Sequence, residues 1–203
     1  VAVSFILALK GLSSPKSARR GNLIGATGAG LATILVFTDP AVAKIHNLAL
    51  ILIAIAIGVL AGVPAARKIK MTSMPQLVAL FNGVGGGAAA LVAIVEYLNL
   101  GKDASVAEVV ATVFTVVVGC TSFSGSVITF LKLQELMTTR PVVFPGGRFV
   151  IAATLAGVLA TAGWTIASGG NTPLLVMAVL SLLFGVLFVL PVGGADVPIV
   201  ISL

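Results

Sequence analysis

The chain has 203 residues, of which 59% are hydrophobic and 9% charged, against roughly 25% charged in soluble domains. With a mean hydropathy of +1.20 and a net charge of +6, it cannot wet the surface of a soluble fold. That excludes a free-standing cytosolic enzyme, a nucleic-acid-binding domain and a disulfide-stapled secreted domain. In chain order, apolar runs predict helices over 1–9, 21–37, 46–63, 76–98, 107–131, 149–167 and 173–190, with an eighth beginning near 197. A spanning helix needs ~20 residues, and the middle six qualify. The first run is too short and the eighth stops at Leu203, so both ends read as cut. The runs are continuous rather than alternating, which argues against a β-barrel. Nothing resembles a cleavable signal peptide. The expected fold is an all-α polytopic membrane bundle, one domain over 1–203, with about eight helices or helix parts present.

The connections alternate in charge. Loop 10–20 holds Lys10, Lys16, Arg19 and Arg20; loop 64–74 holds Arg67, Lys68 and Lys70; loop 132–148 holds Lys132, Arg140 and Arg148. These take ten of the twelve basic residues. The intervening connections keep Lys44 and Lys102, with Asp39, Glu96, Asp103 and Glu108. Basic loops stay in the cytoplasm, which puts the N-terminus outside. In a membrane protein the positive balance reports this orientation rather than a nucleic-acid partner. Pro64, Pro75 and Pro173 fall at expected helix boundaries, where a missing N–H costs little. The single cysteine, Cys120, excludes an internal disulfide, and the single histidine leaves no pair for zinc.

Several polar positions fall inside the apolar runs. Gly21, Gly25, Gly28 and Ala32 share one face of the second run, as close helix packing requires. Glu108, Thr112, Thr115, Gly119, Ser122, Ser126 and Thr129 recur at steps of three and four in the fifth. Such a stripe is either a packing seam, its hydroxyls bonded to carbonyls of their own helix, or the lining of a path for water or protons. The fourth run places Asn82 about one and a half turns beyond Gln76, near mid-membrane, followed by Gly83 and Gly85-Gly86-Gly87. Clustered glycines mark close helix contact or a local break. A buried amide needs partners, so Asn82 is expected to face the bundle interior, as a structural hydrogen bond or as a station on a proton chain. His46 opens the third run as a solvated interface residue or a proton carrier. Asp196, before Pro198, is a helix N-cap or a proton-exchanging carboxylate at a channel mouth. Trp164 fits an interfacial belt. The glycine triplet sits among membrane residues, so it does not read as a dinucleotide-binding loop.

Met71-Thr-Ser-Met-Pro-Gln-Leu-Val-Ala-Leu-Phe-Asn-Gly83, Phe123-Ser-Gly-Ser-Val127 and Gly193-Gly-Ala-Asp-Val-Pro-Ile-Val200 resemble, in order, segments of the membrane part of the β subunit of proton-translocating nicotinamide nucleotide transhydrogenase. The resemblance implies a domain that carries protons inward while hydride passes from NADH to NADP⁺ in other domains. It implies nine membrane helices in the family's subunit, a dimeric assembly, α-subunit membrane helices as partners, and separate NAD(H)- and NADP(H)-binding domains. No cofactor is expected in this chain. The implied home is a bacterial cytoplasmic membrane in preference to the mitochondrial inner membrane. Asn82 stands where several relatives carry a channel histidine, Gln76 where some carry Glu, Ser126 at a family serine, and Asp196 at a family aspartate near the NADP(H) domain. The implied proton path takes in Asn82, Ser126, Ser122, Thr115 and His46; Asp196, Arg140 and Arg148 are implied to couple the domains. Asn82 cannot titrate, so the proton moves along ordered water or borrows a histidine from another helix or the α subunit. The alternative, a transporter or channel module for a small solute, uses the same polar faces and glycine-broken helices.

Overall fold

The computed structural model describes residues 1–38, 48–100 and 105–193. The described residues form seven α-helices and one short 3₁₀ turn, with no strand among them. The helices are α1 (Ala2–Leu12), α2 (Pro15–Thr38), α3 (Leu48–Lys68), α4 (Met74–Leu100), α5 (Val106–Leu133), α6 (Gly147–Ser168) and α7 (Asn171–Val189). All but α1 are long and apolar enough to cross a membrane. The all-helical architecture expected from the apolar runs is therefore the observed one. The eighth run, near 197, lies outside the described residues, as do His46 and Asp196.

The helices run further than the apolar runs at several ends. Lys10 closes α1, and Lys16, Arg19 and Arg20 lie in the first turns of α2, so the expected loop 10–20 is largely helical. Arg67 and Lys68 belong to the last turn of α3, and Pro64 lies inside that helix rather than at its boundary. A proline inside a membrane helix is tolerated because neighbouring groups and local adjustment satisfy the freed carbonyl. Pro75 and Pro173 do sit in the first turns of α4 and α7, where an N–H has no intrahelical acceptor.

The chain divides into two compact units, Val1–Gly62 and Val63–Leu203. In the first, α1 and α2 form a helical hairpin built on glycine. A Cβ at Gly21 would lie 2.8 Å from the Ala8 carbonyl oxygen, one at Gly25 would meet the Ala8 side chain, and one at Gly28 would collide with Ser4 Oγ. The small-residue face of the second run is thus a packing face.

The second unit is organised around α5, which packs on α4 and on α7, with α6 on α7. The partners run in opposite senses. Gln76, near the start of α4, reaches Leu133 at the end of α5, so these two helices are antiparallel. Lys132 reaches the end of α7, so α5 and α7 are parallel. The apolar core lies toward the start of α5 and contains Ala90, Ala93, Tyr97, Val109, Val113, Val116, Cys120, Leu174, Met177 and Ala178. Large apolar side chains also cover the outside, as at Leu60, Phe114 and Leu159. Such a surface suits lipid or a partner helix and not water.

Both ends of α5 are built by local rules. Ser105 caps its start in a reciprocal box: its hydroxyl accepts from the Glu108 N–H, while its own N–H donates to Glu108 Oε2 at 2.7 Å. At the other end, Glu135 adopts a left-handed φ of 58°. Leu136 N–H then bonds the Leu131 carbonyl and Glu135 N–H bonds the Lys132 carbonyl. This is the Schellman termination that glycine usually provides.

Candidate functional site

The α4–α5 seam depends on the absence of side chains. A Cβ at Gly83 would stand 2.9 Å from Ser126 Cβ, and one at Gly86 would stand 2.9 Å from Ser122 Cβ. Opposite them, a Cβ at Gly119 would lie 2.5 Å from the Gly86 carbonyl oxygen. The helix backbones approach as closely as small residues permit. α4 remains continuous through Gly83–Gly87, so the glycine cluster serves contact and not a break. It forms no phosphate-binding loop.

That closeness brings Asn82 within reach of two hydroxyls. Asn82 Nδ2 donates to Ser126 Oγ at 2.9 Å and to Ser122 Oγ at 3.1 Å. The serines are four residues apart on α5, one turn, so a single amide spans both. Ser126 is buried and Ser122 half-buried, whereas Asn82 keeps an exposed side chain in this chain. α4 has 27 residues, making it roughly 40 Å long at about 1.5 Å per residue. Asn82 falls about 12 Å from its start. It therefore lies in the first half of α4, on the side of the basic 64–74 connection. An amide at that depth, still open on one side, calls for water or protein to complete its hydrogen bonds.

The rest of the predicted stripe makes other bonds. Thr115 Oγ1 donates to its own helix at Ala111 (2.8 Å) and joins none of the Asn82 bonds. Glu108 is exposed and its carboxylate is engaged in the Ser105 cap. Thr112 and Thr129 are buried, and Thr129 Oγ1 has no protein partner. Gln76 Nε2 donates to the Leu133 carbonyl at 3.0 Å, while its Oε1 is buried and unpartnered. Arg140 and Arg148 are both exposed, and Arg148 lines a cavity of about 630 Å³ with Val142, Phe144, Phe149 and Pro191.

A second seam escaped sequence reasoning. On another face of α5, Thr121 and Ser124 press on Gly185, where a Cβ would collide with Ser124 Oγ and the Thr121 carbonyl. Thr121 Oγ1 donates to the Ser181 carbonyl at 3.3 Å. Ser181 and Gly185, four residues apart on α7, carried the signal.

Lys132 needs correction. The charge pattern puts it in the basic 132–148 connection, yet it lies in the last turn of α5 with its side chain fully buried. Its ammonium donates to the carbonyls of Leu190 (2.6 Å), Val192 (2.7 Å) and Val189 (3.2 Å). These lie at or just beyond the end of α7, where carbonyls lack intrahelical donors and the helix dipole is negative. Three donors meet three acceptors, so the charge is fully engaged. Removing it would cost roughly 1–3 kcal/mol for each carbonyl left unpaired. One further step of three along the hydroxyl stripe, from Thr129, lands on Lys132 and would have found it.

The family described as NAD(P) transhydrogenase beta subunit matches residues 1–203. Two proteins named NAD(P) transhydrogenase subunit beta, both from Rhodospirillum rubrum, are each 39% identical to the chain over 208 aligned positions. The alignments cover 99% of this chain and 44% of each relative. The chain therefore spans less than half the length of these curated relatives.

Proposed function

The chain belongs to the NAD(P) transhydrogenase beta subunit family, and we propose that it is the proton-conducting membrane domain of such an enzyme. In this reading, hydride passes from NADH to NADP⁺ in partner domains that bind NAD(H) and NADP(H), and protons move inward through this one. The observation that carries the reading is the Asn82 amide bridging Ser122 and Ser126 across two membrane-length helices.

The chemistry follows from the donor inventory. The Asn82 NH₂ can donate but cannot titrate. Each serine oxygen accepts from Asn82 and retains an O–H to donate onward. The trio thus orders water without trapping a proton, and the proton travels along the water. The open side of Asn82 faces that water or a partner's membrane helix, whether from the α subunit or from a second copy in a dimeric assembly. His46, outside the described residues, is carried over as a path residue on the resemblance alone. Asp196, with Arg140 and Arg148, faces the NADP(H) domain. The alternating basic connections support a cytoplasmic side for these last residues, with the N-terminus outside, and a bacterial inner membrane is the home we propose.

The test is Asn82→Leu in the full-length subunit, assembled with its α partner and reconstituted in vesicles. Proton uptake driven by hydride transfer should be lost at normal assembly. Wild-type uptake would take Asn82 out of the path.

A further inference from the structure

Lys132 is not used by the relay proposed above, and its surroundings are unusual for a membrane helix. A buried ammonium in such an environment survives only when its donors are satisfied. Here all three are, and every acceptor belongs to the short stretch Val189–Val192 where the chain leaves α7. The same stretch is held from a second direction: Val142 N–H, in the connection after α5, donates to the Leu190 carbonyl at 3.0 Å. Leu190 O is thus shared between Lys132 and Val142. The α7 exit is tied to α5 and to the α5–α6 connection at once.

The other end of the argument lies on the same helix. Ser122 and Ser126, which hold Asn82, precede Lys132 by ten and six residues on the unbroken α5. Six residues of helix make about 9 Å. Any shift of α5 that accompanies a change at Asn82 therefore moves the ammonium against carbonyls fixed to α7. At the level of the two serines, α5 bears directly on Gly185 through Thr121 and Ser124, so it cannot slide along α7 without displacing it. Packed helices of this kind rearrange between discrete positions and do not deform continuously.

We propose that Lys132 is a positioning residue that couples the Asn82–Ser122–Ser126 seam to the exit of α7 at Val189–Val192, and through that exit to the NADP(H)-binding partner domain. The inference rests on the proposed reading of the chain as the membrane domain of a transhydrogenase. It gives the buried cation a role beyond capping a helix. The residue touches no substrate; it sets where the α7 exit lies relative to α5.

The experiment uses the full-length subunit with its α partner in vesicles, as wild type and as Lys132→Met, Lys132→Arg and Val142→Pro. Hydride transfer is followed at varied NADP⁺ and varied NADH, with proton uptake recorded together. Lys132→Met is expected to change KM for NADP⁺ by about tenfold, within the usual range of site-to-site coupling. KM for NADH should stay at its wild-type value. Lys132→Arg, which keeps charge and donors, should recover most of the shift. A merely structural lysine would lower the amount of active enzyme and leave both KM values alone, and that result overturns the proposal. If Lys132→Met does not assemble, Val142→Pro decides. It deletes one bond to Leu190, and a changed KM for NADP⁺ with an unmoved KM for NADH supports the role, while an unchanged KM for NADP⁺ overturns it. Wild-type enzyme that transfers hydride without proton uptake would instead overturn the proton-conducting reading.

Discussion

The two halves of the α4–α5–α7 group are packed by different chemistry. Around Tyr97, Val113, Leu174 and Met177 the contacts are apolar, and the helices are held apart by side-chain volume. Around Asn82, Ser122, Ser126 and Lys132 volume is removed, and backbones approach until amides, hydroxyls and an ammonium can bridge them. In lipid the first half gains from close packing, since hydrocarbon surrounds the helices in any case. The second half gains specificity, because each polar group must find a defined partner. Both halves hold an orphan: the Tyr97 hydroxyl in the apolar one, Gln76 Oε1 and Thr129 Oγ1 in the polar one. Among the described residues, the polar half combines orphans with an amide still open on one side.

Four substitutions sharpen this contrast. The largest effect on stability belongs to the apolar half: Leu174→Ala empties a fully buried position and should cost about 2–5 kcal/mol. Thermal unfolding in detergent would show the loss, while proton uptake per assembled enzyme stays unchanged. Altered uptake would erase the division of labour between the halves. Next comes Gly119→Ala, where the new methyl meets the Gly86 backbone. Overpacking there should cost about 1–3 kcal/mol, and separating the helices should slow uptake as well. A variant as stable and as fast as wild type would show that the close approach is dispensable.

Ser126→Ala should lower stability by only roughly 0.6 kcal/mol, the usual worth of an interhelical hydrogen bond in a membrane protein. Its uptake rate should nevertheless fall by more than that of Leu174→Ala, measured in the same vesicles. The smallest effect is expected for Thr115→Val. The hydroxyl already bonds its own helix, so stability should move by less than about 0.5 kcal/mol. Slowed uptake in this variant would extend the path beyond the Asn82 trio.

Helices were legible because a membrane-length apolar run has few alternatives to helix in lipid. Their ends were less so. Lys10, Lys16, Arg67 and Lys68 read as loop because they are charged, yet a helix extends through the interface while such side chains reach out to the polar headgroups. Lys132 failed for the opposite reason. A charge count assigns every lysine to solvent, and only the position of the α7 carbonyls shows that this one is satisfied in the interior. The Asn82 site was half legible. The residues stood out as polar in apolar runs, but their pairing needed the register of α4 on α5. Residues that share the stripe's face need not share a partner: Thr115 bonds its own helix while Ser126 meets Asn82.

By itself the sequence determined an all-helical membrane chain, the alternation of its basic connections, the glycine faces, and a resemblance to the transhydrogenase β subunit. Those properties follow from local composition and period, since lipid admits few backbone conformations and small residues declare where helices can meet. Tertiary structure decided which hydroxyls meet Asn82, that Glu108 caps a helix, that Thr115 bonds its own backbone, and that Lys132 grips the end of α7. The Asn82 and Lys132 contacts depend on distances of about 3 Å between helices far apart in the chain, whereas the Glu108 and Thr115 bonds are local choices among nearby partners. Periodicity along one helix says which side chains point the same way; only the neighbouring helix says what they touch.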